Sequence, residues 1–229
     1  MKKKILAMCL VVALMATAIA GATLAYFTDT TNQVKNTFTV GEIDITLDEA
    51  KVDPNTGKPV DPEERVEANT YDDIHPGQTV SKDPTVTVKA DSEDCYVRIQ
   101  ATIDAEDYAK LSKAFGAEYF VDGVFLLQNL TNGTWDKDIW VSKVAEVKAD
   151  GSALYEFWYY GEKANENGVV AEGTADQELE PLFTEIKFPG EMTNAQIQAL
   201  GDFDITFVGH AIQAAEFDNA AAAWAAWKN

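Results

Sequence analysis

Three observations in the sequence predict an all-β fold, an antiparallel β-sandwich with short peripheral helices and a C-terminal helix. Apolar and polar residues alternate through residues 37–47, 84–88, 95–103 and 203–212, the period-2 pattern of half-buried strands. Two Asp-Gly pairs, Asp122-Gly123 and Asp150-Gly151, sit between runs of β-branched and aromatic residues, where a hairpin turn needs them. The runs are separated by stretches punctuated by Gly, Pro, Asn and Asp, with no internal repeat and no low-complexity tract.

The first 25 residues have the three parts of a secretory signal. Lys2, Lys3 and Lys4 form a positive start, residues 5–20 are apolar, and Thr23-Leu24-Ala25 places small residues at the −3 and −1 positions. Cleavage is expected between Ala25 and Tyr26. The competing reading is an uncleaved anchor, because residues 5–25 make 21 largely apolar positions against the ~20 a spanning helix needs. The run ends in small residues and lacks a basic stop-transfer flank, which argues for cleavage, and no sorting motif lies near Asn229. The expected organisation is therefore a signal at 1–25, an N-terminal arm at 26–36, and one sandwich domain at 37–229 with long loops at 48–76 and 161–180.

Removing the signal lysines moves the formal net charge from −20 to −23. That excess opposes nucleic-acid binding, which needs a basic footprint. It favours solubility and makes calcium a conceivable companion. Cys9 falls inside the signal, and Met8 before it does not suit a lipoprotein cysteine. Cys95 is then the single cysteine of the mature chain, so no internal disulfide can form. In Asp94-Cys95-Tyr96-Val97 it reads as a small apolar strand residue rather than a reactive thiol.

Along the chain, Ile43, Ile45 and Leu47 share one face of a half-buried strand. The four prolines of residues 48–76 predict a polar loop without a core strand. Within it Asp53, Asn55 and Glu64 fall at positions 1, 3 and 12 of a calcium loop, yet Lys58 stands where the turn glycine belongs. A solvated acidic loop is the simpler reading. Residues 84–88 and 95–103, joined by Asp91-Ser92-Glu93-Asp94, read as a strand pair. Asp104 caps a helix over 105–115, with Gly116 suited to its C′ position. Residues 119–121 with 124–127, and 139–147 with 153–160, read as two hairpins. The second carries Tyr155, Phe157, Trp158, Tyr159 and Tyr160, more simply a core face plus a paired outer face than a ligand platform. Residues 162–180 read as an acidic loop and 181–188 as a strand. Thr193 caps a helix ending at Gly201, and residues 203–212 form the last strand. An Ala-rich helix over 214–227 carries Phe217, Trp224 and Trp227, which should dock on the sandwich.

Catalytic signatures are missing from the sequence. His75 and His210 belong to no HExxH, and no GxSxG, phosphate-binding loop or dinucleotide fingerprint occurs. A metal held by both histidines would require the fold to bring them together.

Gly21-Ala22-Thr23-Leu24-Ala25-Tyr26-Phe27-Thr28-Asp29, followed by Asn36-Thr37-Phe38-Thr39-Val40-Gly41 and Ile43-Asp44-Ile45, resembles the N-terminus of the TasA/camelysin family. Pro76-Gly77-Gln78-Thr79-Val80, Cys95-Tyr96-Val97-Arg98 and Ala211-Ile212-Gln213-Ala214 resemble the same group. The resemblance implies a jelly-roll-like sandwich, cut by a SipW-type signal peptidase and exported to the cell surface or extracellular matrix. It further implies a head-to-tail homopolymer, in which the arm, seating Phe27, Val34 or Phe38, completes the sheet of the next subunit. No catalytic residue, cofactor or membrane contact after cleavage is expected. Camelysin-type members imply the alternative of a surface metalloprotease, and a monomeric surface-binding module is the third reading.

Overall fold

The computed structural model describes residues 42–60 and 64–227, all within one compact unit. The signal, the cleavage pair Ala25 and Tyr26, and the arm with Phe27, Val34 and Phe38 lie outside the described residues.

Two antiparallel sheets carry the core, as the alternation predicts. The first has the order β11-β4-β1-β2, from β1 (Ile45–Ala50), β2 (Arg65–Val66), β4 (Thr85–Val88) and β11 (Gln177–Glu178). The second is built on β5 (Cys95–Ile103), flanked on one side by β13 (Thr206–Gln213) and on the other by β9 (Ala153–Tyr159), which pairs β8 (Trp140–Val147). β10 (Val169–Val170) continues the β9 flank. A minor pair joins β3 (Thr79–Ser81) to β12 (Glu185–Lys187), and β6 (Phe120–Val121) with β7 (Val124–Phe125) forms a small hairpin. The inner layer contains Val86 and Val88 from one sheet and Val97, Ile99, Ala101, Ile103, Tyr155, Phe157 and Tyr159 from the other. At Gly209 the sheets approach closely: a Cβ there would lie 3.4–3.6 Å from Val86, Ile45 and Leu47.

Helix α1 (Ala105–Ala114) starts where Asp104 accepts the Asp107 N–H, and α2 (Asn194–Leu200) starts from a full capping box of Thr193 and Gln196. Both caps follow the sequence reading. Gly116 does not, since its φ of −73° is ordinary backbone and α1 ends at Phe115. The two Asp-Gly turns differ as well. Asp122 and Gly123 are both left-handed (φ 50° and 83°), the type I′ pattern. At the second, Gly151 (φ 90°) closes a turn with its N–H on Lys148 O, and Lys148 N–H donates to Ser152 O, a three-residue loop with a glycine bulge.

Four further expectations are corrected. β4 and β5 are not a hairpin but lie in opposite sheets. Their link is held by other segments, through Lys89 N–H to Asp44 O, Asp91 N–H to Gly173 O, and Ala214 N–H to Asp94 O. Alternation identifies a strand without naming its neighbour. The loop expected at 48–76 begins with the end of β1, where Glu49 and Ala50 are buried, and it contains β2 and buried Val52. Arg65 anchors it, bonding Asp48 at 2.5 Å and Asp83 at 3.0 Å. The acidic loop at 162–180 contains β10 and β11, because buried Val170 and Leu179 outweigh its surrounding charge. The C-terminal helix is only α3 (Ala220–Ala226): Asn219 caps it by accepting the Ala222 N–H, which stops it short of residue 214.

Candidate assembly edge and outer aromatic face

Two long strands border the five-stranded sheet, and their sequences treat that exposure differently. β8 reads WVSKVAEV; it carries Lys143 and Glu146 and breaks register between Ser142 and Val144. Charges and bulges are the standard means of keeping an edge from pairing with another chain. β13 reads TFVGHAIQ, without a charged residue at neutral His, a proline or a bulge. Its register against β5 runs unbroken from Thr206↔Thr102 to Gln213↔Cys95, and among the described residues no strand pairs its other flank. Val208 is 43% exposed on it. An eight-residue edge of this kind offers alternate backbone N–H and C=O groups to an added strand.

The outer face of the same sheet carries a second feature. Arg98 on β5 stands directly opposite His210 on β13 and Trp158 on β9. Its side chain is 5% exposed, and Nη1 donates to Glu156 Oε1 at 3.2 Å. Gln100 Nε2 donates to the same oxygen at 2.6 Å. Residues 214–227 fold over this row: the Arg98 guanidinium lies 4.3 Å from the Trp224 ring, Trp158 packs 6.4 Å from Trp224, and His210 meets Trp227 at 5.2 Å. Burial and Arg98 both hold the His210 imidazole below its ordinary pKa, against a smaller opposing pull from Glu156. Lys143 Nζ lies over Trp158 and Tyr160.

The aromatic row divides as expected, with Tyr155, Phe157 and Tyr159 in the core and Trp158 on the outer face. Tyr155 Oη donates to Phe125 O at 2.7 Å, and Tyr159 Oη donates to Glu180. The docked tryptophans also follow the sequence reading. Arg98 and Glu156 were not singled out as a pair. Their signal was available, since each is a charged residue at an outward position of an otherwise apolar strand.

The calcium-pattern residues have other partners. Asp53 Oδ1 accepts the N–H groups of Asn55 and Thr56 at 3.0 Å, capping its own turn, while Glu64 pairs with Lys51 at 2.8 Å. His75 N–H donates to Gln78 Oε1 and its ring lies near Asp73 O, in surroundings separate from those of His210. Among the described residues no three His, Cys, Asp or Glu side chains gather into a metal-holding group. Cys95 is buried, and burial with Asp94 alongside pushes its thiol up to about 12. No helix of the described residues is long and apolar enough to cross a membrane.

Comparison with curated proteins and with solved structures returns no match. The model of one family, described as camelysin metallo-endopeptidase, matches residues 1–179. That span covers the expected signal and arm, the whole first sheet, and β5, β8, β9 and β10 of the second. A match over most of the chain meets the resemblance read from its N-terminal motifs, and this chain belongs to the camelysin metallo-endopeptidase family.

Proposed function

We propose that this protein is a secreted, non-enzymatic structural subunit that assembles head to tail into a cell-surface or matrix fibre. The observation that carries the reading is the uncharged β13 edge, which no other strand among the described residues pairs. A donor arm at 26–36, freed by cleavage after Ala25, would pair with that edge on the next subunit. Each apolar side chain seated by the arm or by the residues just after it, such as Phe27, Val34 or Phe38, contributes ~1.5–3 kcal/mol if fully buried. Donation to a different surface of the neighbour is a heterologous contact, which does not close on itself and so grows a filament. The formal charge, −20 for the whole chain and −23 once the three signal lysines are removed, opposes association, so salt or cations that screen it favour growth.

Electron microscopy of the cleaved protein tests this with two variants. Deleting residues 26–36 and placing a charge on the edge by Val208→Lys should each abolish fibres while far-UV circular dichroism stays unchanged. Fibres persisting in the deletion variant overturn donor-strand assembly. Fibres persisting only in Val208→Lys overturn β13 as the acceptor.

The family description favours a second reading, a surface metallo-endopeptidase. Casein hydrolysis by purified protein that is lost on chelation and restored by zinc would establish it and displace the structural role.

A further inference from the structure

Where the C-terminal segment meets the sheet, three buried polar atoms have no hydrogen-bond partner among the described residues: Arg98 Nε and His210 Nδ1 on the sheet and Trp224 Nε1 on the segment itself. Arg98 is 4% exposed and Trp224 7% exposed, so water does not reach these groups while the segment is seated. Buried polar atoms are ordinarily satisfied, and three orphans at the contact of one short element mark a closed state held against a cost. The element is correspondingly slight. α3 is seven residues, six Ala and one Trp (AAAAWAA), held down by Ala220, Ala223 and Trp224.

We propose that residues 214–227 form a pH-gated latch. It is seated on the outer face of the five-stranded sheet while His210 is neutral, and it is lifted when His210 takes a proton. A charged imidazole at this position stands directly across the strand pair from Arg98. Like charges directly opposite on adjacent strands repel. Among the described residues the ionisable groups around His210 are Arg98 on β5, Glu156 on β9 and, beyond Trp158, Lys143 on β8. Glu156 is already engaged by Arg98, Gln100 and Trp158. α3 carries no ionisable side chain to balance a new charge, and the acids that precede it, Glu216 and Asp218, stand before its cap at Asn219. Lifting the segment hydrates the three orphan atoms and exposes Tyr96, Trp158 and Ile212, the apolar surface it covers.

The direction with pH follows from the depressed imidazole. The closed state disfavours the proton, so closure is at full strength above the ordinary histidine pKa near 6.5 and weakens as pH falls through it. Between pH 7.5 and pH 5.0 the closed-to-open ratio falls by up to about thirty-fold, the limit reached when the closed state binds no proton over that range.

Hydrogen–deuterium exchange of the purified protein, corrected for intrinsic rates, tests the latch. Exchange in 214–227 should rise as pH falls from 7.5 to 5.0 while β5 and β9 stay protected, and His210→Gln should remove the rise. An unchanged segment, or the same rise in His210→Gln, overturns the proposal. Should that variant lose protection in β5, NMR titration of the native protein decides instead. The Trp224 and Trp227 indole N–H resonances should move together with the His210 ring, and their failure to do so overturns the latch.

Discussion

Glu156→Ala should be among the most damaging single substitutions in the outer layer. Glu156 receives Arg98 Nη1 at 3.2 Å, Gln100 Nε2 at 2.6 Å and Trp158 Nε1 at 3.4 Å. The side chains of Arg98 and Glu156 are 5% and 11% exposed. Removing the carboxylate leaves a buried guanidinium without a counter-charge and orphans the Gln100 amide, a loss of ~3–5 kcal/mol. For a domain of this size that corresponds to a fall of roughly 6–20 °C in Tm. Much of the loss comes from the stranded charge, so removing both charges should restore most of it. In Arg98→Met/Glu156→Leu the Met thioether keeps an apolar contact beneath Trp224, and at least ~2 kcal/mol should return relative to Glu156→Ala. The exposed Lys51–Glu64 pair is the control; Glu64→Ala there should cost less than ~1 kcal/mol. Urea unfolding followed by tryptophan fluorescence and circular dichroism measures all three. A cost below ~1 kcal/mol for Glu156→Ala, or a double variant no more stable than the single, refutes the buried-pair reasoning.

Other positions give independent tests. Gly57→Ala combines a left-handed φ of 63° with a Cβ placed 2.3 Å from Val80 Cγ1, so thermal unfolding should register a loss of at least ~2 kcal/mol. Burial acts to raise the Asp107 carboxyl, but the bonds from Lys110 Nζ and the Asp204 N–H outweigh it and hold the group below its usual 3.8. Its contribution is therefore complete above that value and is lost as pH falls through the lowered one; Asp107→Asn should flatten this acid limb of the stability curve. Cys95 should resist a thiol reagent at pH 8 in the native protein and react once urea unfolds it, and native labelling at the rate of free cysteine would contradict its burial.

Much of the local structure was legible. The caps at Asp104 and Thr193, the Asp122-Gly123 hairpin and the split of Tyr155, Phe157 and Tyr159 from Trp158 are short-range consequences of side-chain chemistry and strand periodicity. The strand content of residues 162–180 was not legible, because β10 and β11 are two residues each and exist only through β5 and β4. The candidate site was half visible: the tryptophans near the C-terminus announced a docking element, while the pair beneath them joins residues 58 positions apart.

By itself the sequence determined the fold class, the strand periods, the turns and helix starts, and the N-terminal motifs that carry the family. Each of these depends on neighbours within a few positions. The tertiary structure alone decided that β4 and β5 part into opposite sheets, that among the described residues β13 rather than β8 is the unguarded edge, and that Arg98, Glu156, His210 and Trp224 meet. Strand alternation specifies which face of a segment is buried but not what buries it. The choice of partner is made when all segments cover their apolar faces together, and it decides which polar groups are stranded beneath them.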